Sequence, residues 1–216
     1  MALGPLTNLA IGLLADPALT WRLKHVYIMG GNTEVSSDCQ PRPVQYCSSA
    51  LQGIGNVTET AEFNFHADPE AASTVLRLAK CPVTIATWEL SYKYNFVPLS
   101  WRKEILGKLE TSAASLINKL EEVWFRNYIW GDNWILCDQL AMVAALNPDA
   151  VTQATNHIAR VELGGQLTRG MMVLDKRPEP VTAGQRKNVT IIEKIDRAKL
   201  QQRLLDAFSL NSARVS

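Results

Sequence analysis

A mostly parallel α/β sheet flanked by helices, in the Rossmann-like class, is the fold this sequence predicts. Three observations carry the expectation. Short apolar runs alternate with helical patterns through the first two-thirds of the chain, the order that builds a parallel sheet. The runs are continuous rather than alternating, as in strands covered on both faces. A chain of 216 residues with 47% hydrophobic residues is large enough for one sizeable core, so residues 1–216 read as one domain.

The elements follow in order. Gly4-Pro5-Leu6-Thr7-Asn8 is a turn that opens at once into a helix over Leu9 to Leu14, ended by Asp16-Pro17. His25 to Met29, bounded by Gly30-Gly31, reads as a buried parallel strand. Residues 32–54 hold Ser, Pro, Gln, Cys39 and Cys47 with little periodicity, and are expected to be a long irregular loop or insertion. Asp68-Pro69-Glu70 starts a helix: Asp as N-cap, Pro at the first helical position, Glu in the first turn. That helix runs to Lys80, with Ala72, Val75, Leu76 and Ala79 on its apolar face. Val83 to Trp88 is the next strand.

Pro98 to Ile129 holds one long helix or two, with Ile105, Leu109, Ala113, Leu116, Leu120 and Val123 on a helical period. Trp124, Tyr128, Trp130 and Trp134 crowd its end, either as core between helices or as a platform for a flat ligand. Cys137-Asp138 opens a helix over Leu140 to Leu146, with Asp138 as an N-cap or a cation holder. Ala159 to Leu163 and Met171 to Asp175 form a hairpin-like pair. Val189 to Ile195 is a strand and Ala198 to Phe208 a closing amphipathic helix.

Composition excludes several classes. A formal net charge of +1 gives no reason to expect a nucleic-acid partner. No apolar run approaches the ~18 residues that span a bilayer, and no secretory signal is visible. The four cysteines, Cys39, Cys47, Cys81 and Cys137, lack C-x-x-C spacing and read as reduced cytoplasmic thiols. The three histidines show no metal spacing; His66 lies near Glu62 and Asn64, as a site residue or a surface one.

The stretch richest in chemistry is Gly55 to Ala72, Gly-Asn-Val-Thr-Glu-Thr-Ala-Glu-Phe-Asn-Phe-His-Ala-Asp-Pro-Glu-Ala-Ala. Phe63 and Phe65 alternate with Glu62, Asn64 and His66, so two rings are expected on one side and Glu62 with Asn64 on the other. A carboxylate and an amide side by side offer a hydroxylated ligand paired acceptors and donors. The same groups would also serve a capped loop that satisfies its own backbone.

This stretch, Leu3-Gly-Pro-Leu-Thr-Asn-Leu-Ala10, Ile28-Met-Gly-Gly-Asn32, Cys137-Asp138 at a helix start, and Gly165-Gln-Leu-Thr-Arg-Gly170 with Val173-Leu-Asp175 together resemble the inosine-uridine-preferring nucleoside hydrolase family. They fall in the family's order and cover nearly the whole chain. The resemblance implies cleavage of the N-glycosidic bond of ribonucleosides to ribose and base, through an oxocarbenium-like transition state. It implies a calcium ion that binds ribose hydroxyls and the attacking water. The Thr7 carbonyl and the Asp138 carboxylate match calcium ligands. Asn56, Glu62 and Asn64 match ribose-binding residues, with Met29 packing nearby. The resemblance also leaves homo-oligomerisation open.

Three departures qualify it. The family's N-terminal Asp-rich loop, which supplies further calcium carboxylates and the general base, has no counterpart here, so an N-terminally truncated nucleoside hydrolase fold is expected. Thr7, Asp138, two ribose hydroxyls and a water give about five oxygens where calcium takes six to eight, so weak calcium binding is expected. Cys137 stands where inosine-uridine-preferring members carry His, the candidate proton donor to the base, and purine-specific members carry Trp. The stretch from about Val35 to Ile54 is longer than the family's. The strand at His25 to Met29 is expected to lack a neighbour, leaving apolar surface that invites association. A catalytically inactive form that keeps part of the ribose pocket is the alternative function.

Overall fold

In the computed structural model, which describes residues 1–33, 55–94, 97–126, 132–177 and 186–210, the run before Gly30-Gly31 forms strand β1 (Val26–Met29). It follows helices α1 (Thr7–Ala15) and α2 (Leu19–Arg22). Then come α3 (Phe63–Ala67), α4 (Pro69–Leu78) and β2 (Val83–Ala86). The irregular stretch expected over 32–54 lies outside the described residues from 34 onward, as do Cys39, Cys47, Tyr128 and Trp130.

Beyond β2 the chain makes a π-helical turn (Leu90–Tyr94), β3 (Val97–Pro98), α5 (Leu99–Glu104), α6 (Ser112–Arg126) and β4 (Asn133–Trp134). It continues through α7 (Asp138–Leu146), β5 (Val151–Val161), β6 (Met172–Asp175), β7 (Val189–Ile195) and α8 (Arg197–Ser209).

The main sheet has the order β1-β2-β7-β5-β6. β1, β2 and β7 are parallel; β5 is antiparallel to both β7 and β6. Four of the five strands therefore run one way. Alternate residues feed two cores. Ile28, Ile85 and Ile191 pack on one face with Leu13 of α1 and Val75 of α4. Met29, Ala86 and Ile192 pack on the other with Leu140 of α7 and Leu200 of α8. Each such fully buried side chain contributes about 1.5–3 kcal/mol, and burial on both faces is why these strands read as unbroken apolar runs.

β1 lies at the end of the sheet, but its outer edge is not bare. Ala2 bridges it in parallel, donating to the Tyr27 carbonyl at 2.8 Å and accepting from the Met29 N–H at 2.9 Å. The expectation that this strand lacks a neighbour is corrected to that extent.

Other expectations also change. β5 starts at Val151, eight residues before the expected strand. Its first half is polar and mostly exposed, and it is held by hydrogen bonding to β7 rather than by burial, so it carries no apolar alternation. The 98–129 region is two helices separated by a 3-10 turn at Leu106–Lys108. Its apolar stripe points outward: Leu116, Leu120 and Val123 are 60–66% exposed. α6 instead turns Ala114, Asn118 and Glu121 inward, where buried Arg102 of α5 bonds Glu121 at 2.8 Å and Asn118 at 2.9 Å and stacks 5.3 Å over buried Trp134. An ion-paired arginine makes the inner face polar, and an amphipathic reading assigns the wrong side.

Candidate functional site

Ligands of open α/β sheets bind outside the carboxyl ends of the strands. Here that end of β1 is the loop Gly30-Gly31-Asn32-Thr33, and the Gly55–Phe65 stretch folds against it. Gly31 has φ of +69°, in the left-handed region. A Cβ at Gly55 would lie 2.4 Å from the backbone of Ala61 and Thr58, so the 55–61 segment closes on itself only with glycine at its start.

The strand-like alternation expected over 62–66 is a short helix, α3, and the correction relocates the rings. Phe65 is fully buried but Phe63 is 55% exposed. Glu62 and Asn64 are both buried, at 1% and 5% exposure. Glu62 is the N-cap of α3: one carboxylate oxygen accepts from the Phe65 N–H at 3.2 Å and from the Gly31 N–H at 2.8 Å. Asn56 accepts from the Phe63 N–H at 2.8 Å. Asn64 donates to the Met29 carbonyl at 2.9 Å and touches the Met29 sulfur at 3.4 Å. Three sequence-predicted residues, Met29, Glu62 and Asn64, thus meet around one loop, and Asn56 is tied to the start of α3 next to Glu62. The loop reading and the ligand reading are compatible, since the backbone contacts aim the side chains.

Burial pushes the Glu62 carboxyl above its ordinary range. The N–H groups of Asn64, Gly31 and Phe65 oppose that, and the nearby Glu89 charge adds to it. Cys137 lies close enough to feel the Glu62 and Asp138 charges. Its thiol is driven up to about 11, chiefly by burial and against a hydrogen bond from Ser91. A thiol so held is neutral and weakly nucleophilic at neutral pH.

Asp138 is not the N-cap of α7. Cys137 occupies that position, and the Gln139 side chain takes the Cys137 N–H at 3.2 Å. Asp138 is the first helical residue, where its charge complements the helix dipole. It is exposed, yet partial desolvation raises its carboxyl pKa. Thr7 is the first residue of α1, and its hydroxyl donates to Asp68 at 2.5 Å. Asp68 also caps α4 through Ala71 N–H at 3.0 Å, as its sequence predicts.

Sequence reasoning missed three supports. Arg169 grips both oxygens of Glu70 at 2.8 Å and the Leu163 carbonyl at 2.7 Å. Thr60 donates to the Leu167 carbonyl at 2.8 Å, so the Gly165–Gly170 turn braces the 55–70 region. Glu89, 1% exposed, follows β2 and accepts from the Thr33 N–H at 2.9 Å. Its position at a strand's carboxyl end was the available signal. His66 sits beneath Gly170, whose Cβ would lie 2.8 Å from the His66 Cα, and its Nδ1 bonds the Arg169 carbonyl at 3.5 Å.

A groove of about 440 Å³ adjoins Glu89, lined among others by Thr33, Thr155, His157, Lys176 and Glu193. Its polar groups largely pair with one another: Thr155 donates to Glu193 at 2.7 Å, His157 bonds Thr155 at 3.0 Å, and Lys176 donates to the Thr33 carbonyl at 3.2 Å.

The family model for inosine-uridine preferring nucleoside hydrolases matches residues 1–202. The chain belongs to that family. Among similar proteins of this family, the pyrimidine-specific ribonucleoside hydrolase RihA of Klebsiella pneumoniae subsp. pneumoniae is 28% identical over 200 residues, 91% of this chain and 56% of the relative. The RihA of Shigella flexneri serotype 5b is 29% identical, over 94% of this chain and 58% of the relative. The chain thus spans little more than half the length of these nucleoside hydrolases. A solved inosine-guanosine nucleoside hydrolase superposes with a TM-score of 0.81 at 26% identity, covering 98% of this chain and 61% of that one. A purine-preferring ribonucleoside hydrolase from Gardnerella vaginalis shares the fold, with a TM-score of 0.70 at 21% identity over 96% of this chain and 60% of its own.

Calcium takes six to eight oxygens. Among the described residues, no three His, Cys, Asp or Glu side chains converge to hold a metal ion. Thr7 and Asp138 are at most part of a calcium shell, and these residues alone do not complete one. No described helix is long and apolar enough to cross a membrane.

Proposed function

We propose that this chain carries the ribose-recognition part of a nucleoside N-ribohydrolase site. The observation that carries the reading is the buried pair Glu62 and Asn64, fixed to the carboxyl-end loop of β1 by the Gly31 N–H and the Met29 carbonyl. Glu62 accepts from ribose hydroxyls, Asn64 and Asn56 complete the polar wall, and Met29 packs against the sugar. Such contacts orient the anomeric carbon and stabilise the sugar as positive charge develops on it. Cys137, neutral and half-buried, can donate only weakly to a leaving base. No described group is assigned as general base, and no step is routed through a metal. Any calcium held by Thr7 and Asp138 is expected to bind weakly.

The substrate class is a ribonucleoside. The relatives' names span pyrimidine- and purine-directed enzymes, so the base is left unspecified. The test is ribose binding by calorimetry on the purified chain, with and without calcium, alongside a reducing-sugar assay on inosine and uridine. Binding lost in Glu62→Ala supports the reading, and hydrolysis decides whether catalysis accompanies it. Binding without hydrolysis identifies the alternative, an inactive ribose-binding form. A folded chain that ignores ribose at millimolar concentration removes both.

A further inference from the structure

The loop after β1 is held at almost every peptide, and the holders come from different elements. The Met29 carbonyl accepts from Asn64, and the Gly30 N–H donates to the Ala86 carbonyl at 3.1 Å. The Gly31 N–H goes to Glu62 and its carbonyl takes the Trp88 N–H at 3.0 Å. The Thr33 N–H goes to Glu89 at 2.9 Å and its carbonyl takes Lys176 at 3.2 Å. Two of these anchors are carboxylates, each 1% exposed, gripping N–H groups two residues apart on one strip of backbone. One of them, Glu62, belongs to the candidate pocket. The other, Glu89, comes from the opposite side, at the exit of β2.

We propose that Glu89 is a positioning residue for the pocket: it fixes the far end of the Gly30–Thr33 loop, so that the near end presents Met29 and Gly31 to Asn64 and Glu62 in one geometry. This rests on the ribose reading above only for what the pocket binds; the anchoring itself does not depend on it. The Glu89 charge opposes ionisation of Glu62, and the backbone N–H bonds to Glu62 favour it. A carboxylate-to-N–H bond in a buried site is stronger than a neutral one, which suits a clamp on a loop containing two glycines. Lys176 at the end of β6 bonds the neighbouring carbonyl and supplies a positive charge on the same side.

Two variants separate an acceptor role from a charge role. Glu89→Gln keeps the side-chain length and an acceptor oxygen for Thr33 but removes the charge. Glu89→Asp keeps the charge but is one methylene too short to reach. Amide exchange at Gly31 and Thr33 is read by NMR on the whole chain, with the melting temperature as a check on folding. The expected result is Thr33 exchange within about threefold of wild type in Glu89→Gln and at least about tenfold faster in Glu89→Asp, the loss of one charge-assisted bond. Ribose affinity is expected to follow the same order. Equal exchange in all three proteins, or faster exchange in Gln than in Asp, overturns the proposal. If exchange separates the variants while no protein binds ribose, the anchoring stands and the ribose reading falls.

Discussion

Glu62 sets the pH behaviour of the site. Its folded pKa is raised, mainly by burial and secondarily by Glu89. A carboxyl whose folded pKa exceeds its unfolded value holds its proton more tightly when folded. Its ionisation therefore costs stability above the folded pKa, and that cost vanishes below the unfolded value of about 4.3. Glu62→Gln is accordingly expected to melt at or above the wild-type temperature at pH 7 to 8, with the gap closing as pH falls toward 4. The same variant should bind ribose about threefold or more weakly, since a charge-assisted bond to hydroxyl becomes a neutral one. Calorimetric melting at stepped pH checks the first point; a gap that widens on acidification contradicts it. The candidates were legible in the sequence: the family resemblance singled out Asn56, Glu62 and Asn64. Their poise was not, because the Gly31 N–H that grips Glu62 lies 31 residues away in the chain.

At the scale of elements, the capping signal held at Asp68 and failed at Asp138. Asp68 caps α4, and β7 runs over Val189–Ile195 as its apolar content implies. Periodicity failed where a helix face is polar inside. α6 offers Leu116, Leu120 and Val123 to solvent and commits Asn118 and Glu121 to Arg102. Leu120→Lys is therefore expected to change unfolding free energy by less than ~0.5 kcal/mol. Arg102→Ala should cost about 3 kcal/mol, because it leaves half-buried Glu121 and Asn118 without their partner and empties a buried site against Trp134. Urea denaturation of both variants decides the matter, and a large loss for Leu120→Lys would return that stripe to the core. The first half of β5 shows the converse failure: a real strand, held to β7 by its ladder, with no apolar alternation to announce it.

For the whole molecule, one surface feature has consequences. Ile11, Leu14 and Trp21 on α1 and α2 are 58%, 60% and 76% exposed, and α6 adds its own apolar stripe. Apolar surface of this kind favours association. The isolated chain is expected to self-associate with rising concentration, and Leu14→Lys with Trp21→Lys should reduce it; sedimentation velocity over a concentration series measures both. By itself the sequence determined the α/β class, the parallel strands, the cap of α4 and the family, and it singled out the candidate ribose-binding residues. These rest on local patterns: apolar runs, turn residues and short motifs. The tertiary structure alone decided that Glu62 and Glu89 clamp one loop from two sides and which side of α6 faces in. Each depends on contacts between segments distant in the chain, and burial, which sets the strength of a charge or a hydrogen bond, exists only once those segments have packed.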